Sequence, residues 1–332
     1  MSDTLVGEKT IAFSMAHEIL STSVKIPTIP DNGHKIVEMV RTPKDDIDIP
    51  TFVKLLESDP GLFTRILQLA NSPYYREVEK IVSLRAAITR IGLVEIVNSV
   101  SLYYFQKLLP VFPDIKGFSY GDFWTHSWAC AVACRRLGHP NLDMGVLPGD
   151  LYMAGMLQGI GRLLLAIHFP DDFSLCIQRA KQREARLFDV EREIFGTTGN
   201  LIASRVLKAW HMPPGICEGV AFCHMPELAP PEHMIMAGLA QFGRTIVGLS
   251  GVGSSGDGTT TPLSDTHFGR NPNLEIGREK VQQQLIREIL DAVEESAEKK
   301  PRESKYTASQ PLPSGNHTAK KGIFGWVKSF WS

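Results

Sequence analysis

The 332-residue chain lacks most of the short motifs that assign a sequence to a class of enzymes. It has no GxxxxGK(S/T) motif, and its GxGxxG match, Gly251–Gly256, lies in a polar loop after a helical pattern, not at a strand-to-helix turn. It also lacks an uncharged apolar run approaching the roughly 20 residues that span a bilayer. No basic region followed by an apolar core marks a signal peptide at the N-terminus. We therefore expect a cytoplasmic protein.

Cysteine pairs and regular strand patterns are also missing. The five cysteines form no CxxC pair, and an odd count scattered through apolar segments predicts reduced thiols that pack as small hydrophobes. No segment shows the sustained strict alternation of apolar and polar residues that a half-buried strand would have. The formal charges nearly cancel, with 35 Lys and Arg against 36 Asp and Glu, so no nucleic-acid partner is expected.

Apolar residues instead recur at helical spacing along most of the chain, which predicts an all-α protein. A break rich in proline and glycine over 110–117 separates two helical regions. The predicted organisation is an N-terminal extension (1–11), an N-terminal helical subdomain (12–112), a helical bundle (118–297) and a basic tail (298–332).

Three segments of the second region have distinctive compositions. Leu151–His168 is apolar almost throughout and predicts one buried helix, with Gly155 where another helix could approach closely. Residues 250–273 are rich in Gly, Ser, Thr and Asp, which predicts a flexible loop too polar to pack. A final amphipathic helix is predicted over about 274–298.

Several motifs, occurring in a fixed order, carry a resemblance to a known family. The first half contains Ile26-Pro-Thr-Ile-Pro30, Ser58-Asp-Pro-Gly-Leu62, Arg65-Ile-Leu-Gln-Leu-Ala-Asn-Ser72, and Ser83-Leu-Arg-Ala-Ala-Ile88 with Ile91-Gly92. The second half continues with Trp124-Thr-His126, Ala154-Gly-Met-Leu157, Ile160-Gly161 and Trp210-His-Met-Pro213. Together they resemble an HDOD domain, a bacterial signalling module related to the HD metal phosphohydrolases, over roughly residues 12 to 297. The resemblance implies an HD-like helical bundle with an N-terminal helical subdomain.

Most residues of these motifs have an architectural interpretation. Asp59, before Pro60, is suited to cap the start of a helix, and Asn71 is suited to end it. Gly92 is suited to a helix C-cap, and Trp210 to a core position. The full set of motif residues that we interpret as structural is Asp59, Pro60, Leu62, Ala70, Asn71, Ser72, Gly92, Trp210 and Pro213.

The resemblance also implies where the metal ligands of a related hydrolase would lie. Such an enzyme uses a His from one helix, a His-Asp pair from the next and an Asp from a later helix. Here His126 matches the first His, Gln158-Gly159 replaces His-Asp, and Gln241 takes the approximate place of the last Asp. In addition, Gly199 lies where related enzymes carry another His, and Cys223-His224 stands in for a His-His pair.

Both expected carboxylate ligands are therefore absent, whereas a hydrolytic metal needs about three protein ligands and an open position. We expect no catalytic residues, metal or cofactor, but a pseudoenzyme that acts on a signalling protein partner or binds a small ligand. His126 also fits a hydrogen-bonded core histidine. The alternative is a divergent metal-dependent nucleotide phosphohydrolase that uses His126, Cys223 and His224 as ligands.

The C-terminal tail differs from the rest of the chain, because its lysines and arginines precede an aromatic end. On a helix, most of the apolar residues of this end would share one side, as in an interfacial helix or a short docking motif. We expect partner docking or peripheral contact with the inner face of the membrane; folding back onto the domain, or a frayed end, are alternatives. The residues concerned are Ile323, Phe324, Trp326, Val327, Phe330 and Trp331.

Overall fold

The computed structural model describes residues 28–71, 80–112, 115–138 and 144–270, with a few further residues between 280 and 291. Within these ranges the chain is built from helices and short 3-10 turns, with one isolated bridge between Ile115 and Phe118 in place of any sheet. The prediction of an all-α fold is confirmed. The N-terminal extension, most of the predicted helix over 274–298 and the tail lie outside the described residues.

In the described part of the first region, five helices precede the proline-rich break: α1 (Asp31–Arg41), α2 (Ile49–Glu57), α3 (Pro60–Ala70), α4 (Leu84–Ile91) and α5 (Leu93–Leu108). Their ends follow local capping rules. The Asp59 carboxylate accepts hydrogen bonds from the backbone N–H groups of Gly61 (2.8 Å) and Leu62 (3.3 Å), which caps α3. Gly92 has φ = 96°, so a residue without Cβ allows the chain to turn from α4 into α5.

Asn71 ends α3 and also fixes the chain that returns to it. Its Nδ2 donates to the carbonyls of Leu67 (2.8 Å) and Ile81 (2.7 Å), and its Oδ1 accepts from the Ile81 N–H (2.8 Å). Leu62 and Ala70 of the same motif are buried in the core, while Ser72 lies outside the described residues.

The second region contains the remaining helices: α6 (Tyr120–Leu137), α7 (Pro148–Leu157), α8 (Ile160–His168), α9 (Pro170–Gln182), α10 (Leu187–Phe195), α11 (Gly199–Ala209), α12 (Pro214–Phe222) and α13 (Met234–Ser250). The prediction of one continuous helix over Leu151–His168 is wrong, because a turn at Gln158-Gly159 separates α7 from α8. Gly159 also allows a close approach, since a Cβ there would lie 2.9 Å from the Phe123 ring.

Small residues bring the helices of the bundle close together. A Cβ on Gly155 of α7 would lie 2.5 Å from the Cys130 carbonyl oxygen of α6. A Cβ on Gly161 of α8 would lie 1.9 Å from the Gly199 carbonyl oxygen of α11. Side chains larger than hydrogen would push each pair of helices apart, so both glycines determine the spacing of the bundle.

The two helical regions share one continuous core rather than packing as separate bodies. The cluster of buried apolar side chains runs from Ile29 to Phe268. Phe105 of α5 stacks on Trp210 at the end of α11, with ring centroids 6.0 Å apart. The Tyr152 hydroxyl of α7 donates to the Asn98 carbonyl of α5 at 3.3 Å. The first region therefore supports the bundle that contains the candidate site.

The prediction that residues 250–273 are too polar to pack is wrong for the described part, which ends at Arg270. Val252 and Phe268 are 3% exposed, and Thr266 is fully buried. Gly253 has φ = 64°, and a Cβ there would lie 2.4 Å from the His126 backbone nitrogen. Glycine lets this segment lie directly on α6, and backbone hydrogen bonds replace the apolar side chains that composition alone would require. We call residues 251–268 the covering segment.

Among the described residues, Pro148–His168 taken as one segment is long and apolar enough to cross a membrane, but 83% of its most apolar window is buried inside the bundle. The pair α4 and α5 passes the same test only if two helices bent by 112° are counted as one span. Burial of this kind is typical of a core helix.

Candidate functional site

The candidate site lies where α6, the α7–α8 turn, α13 and the covering segment meet. His126 of α6 is 7% exposed, and its Nδ1 lies 3.3 Å from the Val252 carbonyl oxygen. Because a carbonyl only accepts, Nδ1 carries the proton, and the neutral ring presents Nε2 as an acceptor to the Cys130 thiol at 3.4 Å. Both ring nitrogens of His126 are therefore used within the protein.

His224, after α12, uses the opposite tautomer. Its Nδ1 lies 3.3 Å from Nη1 of Arg244, which is a donor only, so Nδ1 accepts and Nε2 carries the proton. The Nε2 atom is shielded from solvent and has no hydrogen-bond partner among the described residues. The ring also lies 4.5 Å from the Phe188 ring, centroid to centroid. His224 thus offers one unused donor beside the site.

The turn between α7 and α8 is held in place by hydrogen bonds. These involve Gln158, at one of the two positions that replace the His-Asp pair, and the neighbouring Cys223. Gln158 is 6% exposed and its Nε2 donates to the Gly155 carbonyl at 3.2 Å. Asn200 Nδ2 lies 3.3 Å from the Gln158 carbonyl and 3.0 Å from the Cys223 sulfur. Cys223 is therefore an acceptor for an amide donor at this position.

Gly199 and Gln241 also have structural partners. The Gly199 N–H donates to Oε2 of Glu191 at 2.8 Å, at the first turn of α11. Gln241 Oε1 accepts from the His267 N–H at 2.7 Å, and its Nε2 lies 3.4 Å from the His224 carbonyl. Gln241 thus joins the covering segment to α13 and to the chain after α12.

Arg162 of α8 occupies the centre of the site, and the sequence analysis did not identify it. It is 3% exposed, and its Nε lies 2.6 Å from Oε1 of the fully buried Glu191. Its Nη1 donates to the Ser255 carbonyl at 2.9 Å and to Oδ2 of Asp257 at 2.7 Å, while Nη2 lies 3.2 Å from Oδ1 of Asp257. One guanidinium therefore links α8, α10 and the covering segment.

A second arginine completes the network from α13. Nη2 of Arg244 lies 2.7 Å from Oδ2 of Asp257, and the Ser255 hydroxyl donates to the same oxygen at 2.7 Å. Glu191, Arg162, Asp257 and Arg244 thus alternate in sign, and His224 follows at the end of the chain of contacts. Such a fully partnered network can exist in the interior, where an isolated charge would be costly.

The burial and charges at the site shift the pKa values of its members. Burial, together with the positive charge of Arg244, lowers the pKa of His126 to about 4 and that of His224 well below its usual 6.5. Burial would raise the pKa of Asp257, but Arg162 and Arg244 outweigh it and hold that pKa well below 3.8. Burial opposes the charge on Arg162, yet Asp257 and Glu191 raise its pKa. At neutral pH both histidines are neutral and Asp257 is ionised.

The donor set does not fit the metal that the resemblance to HD hydrolases implies. In the part of the chain that the structure describes, no group of three or more His, Cys, Asp or Glu residues could hold a metal ion. The carboxylates nearest to the site, Glu191 and Asp257, are both bonded to guanidinium groups. Arg162 and Arg244 cannot act as ligands, and their charge repels a divalent cation.

Two cavities border this network. A small cavity brings His126, Gln158 and Gly159 together with Arg162 and Arg244. A second cavity, open to solvent, is lined by His126 and His224, by Arg186 and Arg244, and by serine and threonine residues. Three of the predicted site residues line neither cavity, and they contact only the residues around the site: Gly199, Cys223 and Gln241.

One sequence signal could have indicated Arg162. It is the single charged residue in the run Ile160–Ile167, which is otherwise apolar apart from Gly161, and a charge on a buried helix requires a buried partner. Glu191, Arg244 and Asp257 carry no comparable signal, because each occurs among other polar or small residues and their partners are remote in sequence.

The fold and site together define a class of protein: an HD-like helical bundle with an arginine–carboxylate network in its interior. Comparison with known proteins agrees, because the family profile of the HDOD domain matches residues 26–226. The chain belongs to the HDOD family. No curated protein matches it.

Solved structures include several similar folds. An HDOD domain protein with unknown function from Geobacter sulfurreducens has a TM-score of 0.66 and 22% identity, covering 87% of this chain and 98% of that one. A provisionally named signal transduction protein from Marinobacter aquaeolei VT8 has a TM-score of 0.68 and 22% identity, covering 89% and 66%. A provisionally named phosphohydrolase from Shewanella amazonensis SB2B has a TM-score of 0.60 and 20% identity, covering 86% and 97%. At these identities the likeness concerns the fold alone.

Proposed function

We propose that this chain is a non-catalytic HDOD regulatory module of bacterial signal transduction that acts by binding, with a protein partner and a small ligand as its targets. The observation that carries the proposal is the pair of guanidinium groups, Arg162 and Arg244, which bind Asp257 and line a cavity with His126, Gln158 and Gly159, where the resemblance implies metal ligands in a catalytic relative. They neutralise Asp257 and repel a cation, so a metal-bound hydroxide has no suitable ligands here.

The burial of the network supports the same proposal. Arg162 and Glu191 are enclosed, and removal of one partner would leave an uncompensated charge in the interior. A site of this kind keeps the bundle in one arrangement without metal chemistry. Its cavities and surface then remain for recognition, and we propose a cytoplasmic location with the tail as a reversible contact to a partner or to the inner face of the membrane.

Metal content and phosphatase activity of the purified full-length chain test the proposal. We expect no stoichiometric Fe, Mn or Zn by elemental analysis and no phosphate release from a panel of nucleotides. His126→Ala, at the site, and His34→Ala, at an exposed position on α1, serve as a matched pair. A stoichiometric metal that His126→Ala loses and His34→Ala retains, together with hydrolysis, would support a divergent phosphohydrolase instead.

The binding role is tested separately by affinity capture from a native bacterial lysate. Full-length protein is compared with a version that lacks residues 299–332. We expect a specific protein to be retained reproducibly by the full-length chain and identified by mass spectrometry. The shortened version shows whether the tail or the helical body carries the contact.

A further inference from the structure

Asp257 sits in a group of donors suited to an oxyanion. Four donor atoms converge on its two carboxylate oxygens: Nη1 (2.7 Å) and Nη2 (3.2 Å) of Arg162, Nη2 of Arg244 (2.7 Å) and the Ser255 hydroxyl (2.7 Å). Arginine presents its N–H groups in a rigid fork that matches carboxylate and phosphate oxygens. We call the side chains of Arg162 and Arg244 the arginine seat.

The carboxylate in the arginine seat comes from the covering segment, whereas both arginines come from helices of the bundle. Besides Asp257, this part of the segment is attached to the bundle by hydrogen bonds of Val252 O with His126 Nδ1 (3.3 Å), of Ser254 N with Asp122 O (3.0 Å), and of Ser255 O with Arg162 Nη1 (2.9 Å). Few apolar contacts oppose its release, because its sequence from Gly253 to Gly258 contains only Gly, Ser and Asp. The seat therefore belongs to the rigid frame, and its occupant belongs to the segment that can leave.

The solvent-open cavity beside the seat offers a further donor that Asp257 does not reach. His224 Nε2–H points to no acceptor among the described residues, and Arg186, whose Nε and Nη2 donate to Asp189, lines the same cavity. Thr245 of α13 also lines this cavity. Asp257 is the single acidic residue in the lining and the carboxylate partner of Arg244, so release of Asp257 leaves a cationic cavity.

We propose that the arginine seat binds a phosphate group of a small phosphorylated ligand, and that Asp257 occupies the seat in the absence of that ligand. A phosphate has more oxygens than the carboxylate that it displaces, so it can accept from both arginines and from His224. Binding then releases the covering segment around Asp257 and changes the surface over the site. This inference deepens the ligand-binding part of the proposed function and rests on it.

Calorimetry with inorganic pyrophosphate, on the full-length chain at constant ionic strength, tests the proposal. Asp257→Asn removes the competing charge, so pyrophosphate should bind this variant at least about tenfold more tightly than wild type, because the seat no longer has to be vacated. Adding Arg244→Gln to Asp257→Asn should abolish the gain. Glu193→Gln, the same acid-to-amide change in an exposed ion pair with Arg183, should bind as wild type does.

Hydrogen exchange of the wild-type protein gives a second measurement that does not depend on the folding of a variant. Saturating pyrophosphate should increase exchange of backbone amides in residues 252–258 and leave α6 unchanged. The proposal is overturned if neither wild type nor Asp257→Asn binds pyrophosphate, or if malonate, a dicarboxylate, binds as tightly. Phosphate release is followed in the same samples: hydrolysis would contradict the non-catalytic function but keep the anion site, whereas absence of binding would remove the site and leave the non-catalytic function standing.

Discussion

Nε of Arg162 lies 2.6 Å from Oε1 of Glu191, and their side chains are 3% and 0% exposed. The pair joins α8 to α10, and the other end of the same guanidinium reaches the covering segment. One positive charge in the middle of the helical bundle thus connects three separate elements of the chain.

Replacement of Arg162 by Met should lower the free energy of unfolding by about 3–5 kcal/mol, because it leaves the Glu191 carboxylate buried without its partner. Urea unfolding followed by circular dichroism measures the change. The double variant with Glu191→Gln should recover part of the loss. Arg183→Met, in an ion pair whose side chains are 51% and 53% exposed, should cost less than about 1 kcal/mol. Equal losses in Arg162→Met and Arg183→Met would contradict the importance of the buried pair.

Stability should fall as the pH decreases from about 6.5 towards 5. The folded state keeps His126 and His224 neutral, with the pKa of His126 lowered to about 4 and that of His224 well below 6.5. In this range the unfolded state binds protons that the folded state does not, so the free energy of unfolding decreases by up to about 1.4 kcal/mol per pH unit for each histidine.

Urea midpoints at several pH values between 5 and 7 test this pH dependence. His126→Gln should reduce the slope by removing one of the two buried imidazoles, while His34→Gln, on the exposed surface of α1, should leave the slope unchanged. A stability that is independent of pH in this interval would mean that the two rings become protonated in the folded protein.

Gly161→Ala should destabilise the protein by roughly 1–3 kcal/mol, because the new methyl group would lie 1.9 Å from the Gly199 carbonyl oxygen and force α8 away from α11. Gly215→Ala is the matched control, since its methyl group would meet no atom closer than 3.8 Å. Thermal unfolding of both variants measures the difference. The close approach of α8 and α11 would be unsupported if both variants melted at the same temperature.

Deletion of residues 320–332 should reduce the fraction of protein that sediments with liposomes containing anionic lipid. The reduction should be smaller at high salt, because salt screens the attraction of the basic residues to the lipid. This prediction comes from the sequence of the tail, which lies outside the described residues. The helical body, measured by circular dichroism, should keep its melting temperature. Unchanged localisation and unchanged partner capture after the deletion would defeat the hypothesis of a reversible anchor.

Much of the fold was predictable because helix formation and helix termination depend on nearby residues. The periodicity of apolar residues predicted the all-α class, and the side chain of Asp59, predicted to cap a helix, accepts hydrogen bonds from the first turn of α3. The wrong prediction of one continuous helix over Leu151–His168 also has a local cause. The apolar character of Leu151–His168 gave no sign of the turn at Gln158-Gly159, because both residues keep helix-like backbone angles there.

The candidate site was likewise predictable only in those properties that depend on residue identity and short spacing. The sequence by itself determined the family, the helical class and the absence of carboxylates at the expected ligand positions, since each of these depends on residue identity and short spacing. Only the tertiary structure decided what fills the site: Arg162 meets Asp257 across 95 residues and Glu191 across 29. Any acid in the chain could have been the partner of a buried arginine, and only the packing of α8, α10, α13 and the covering segment selects these two.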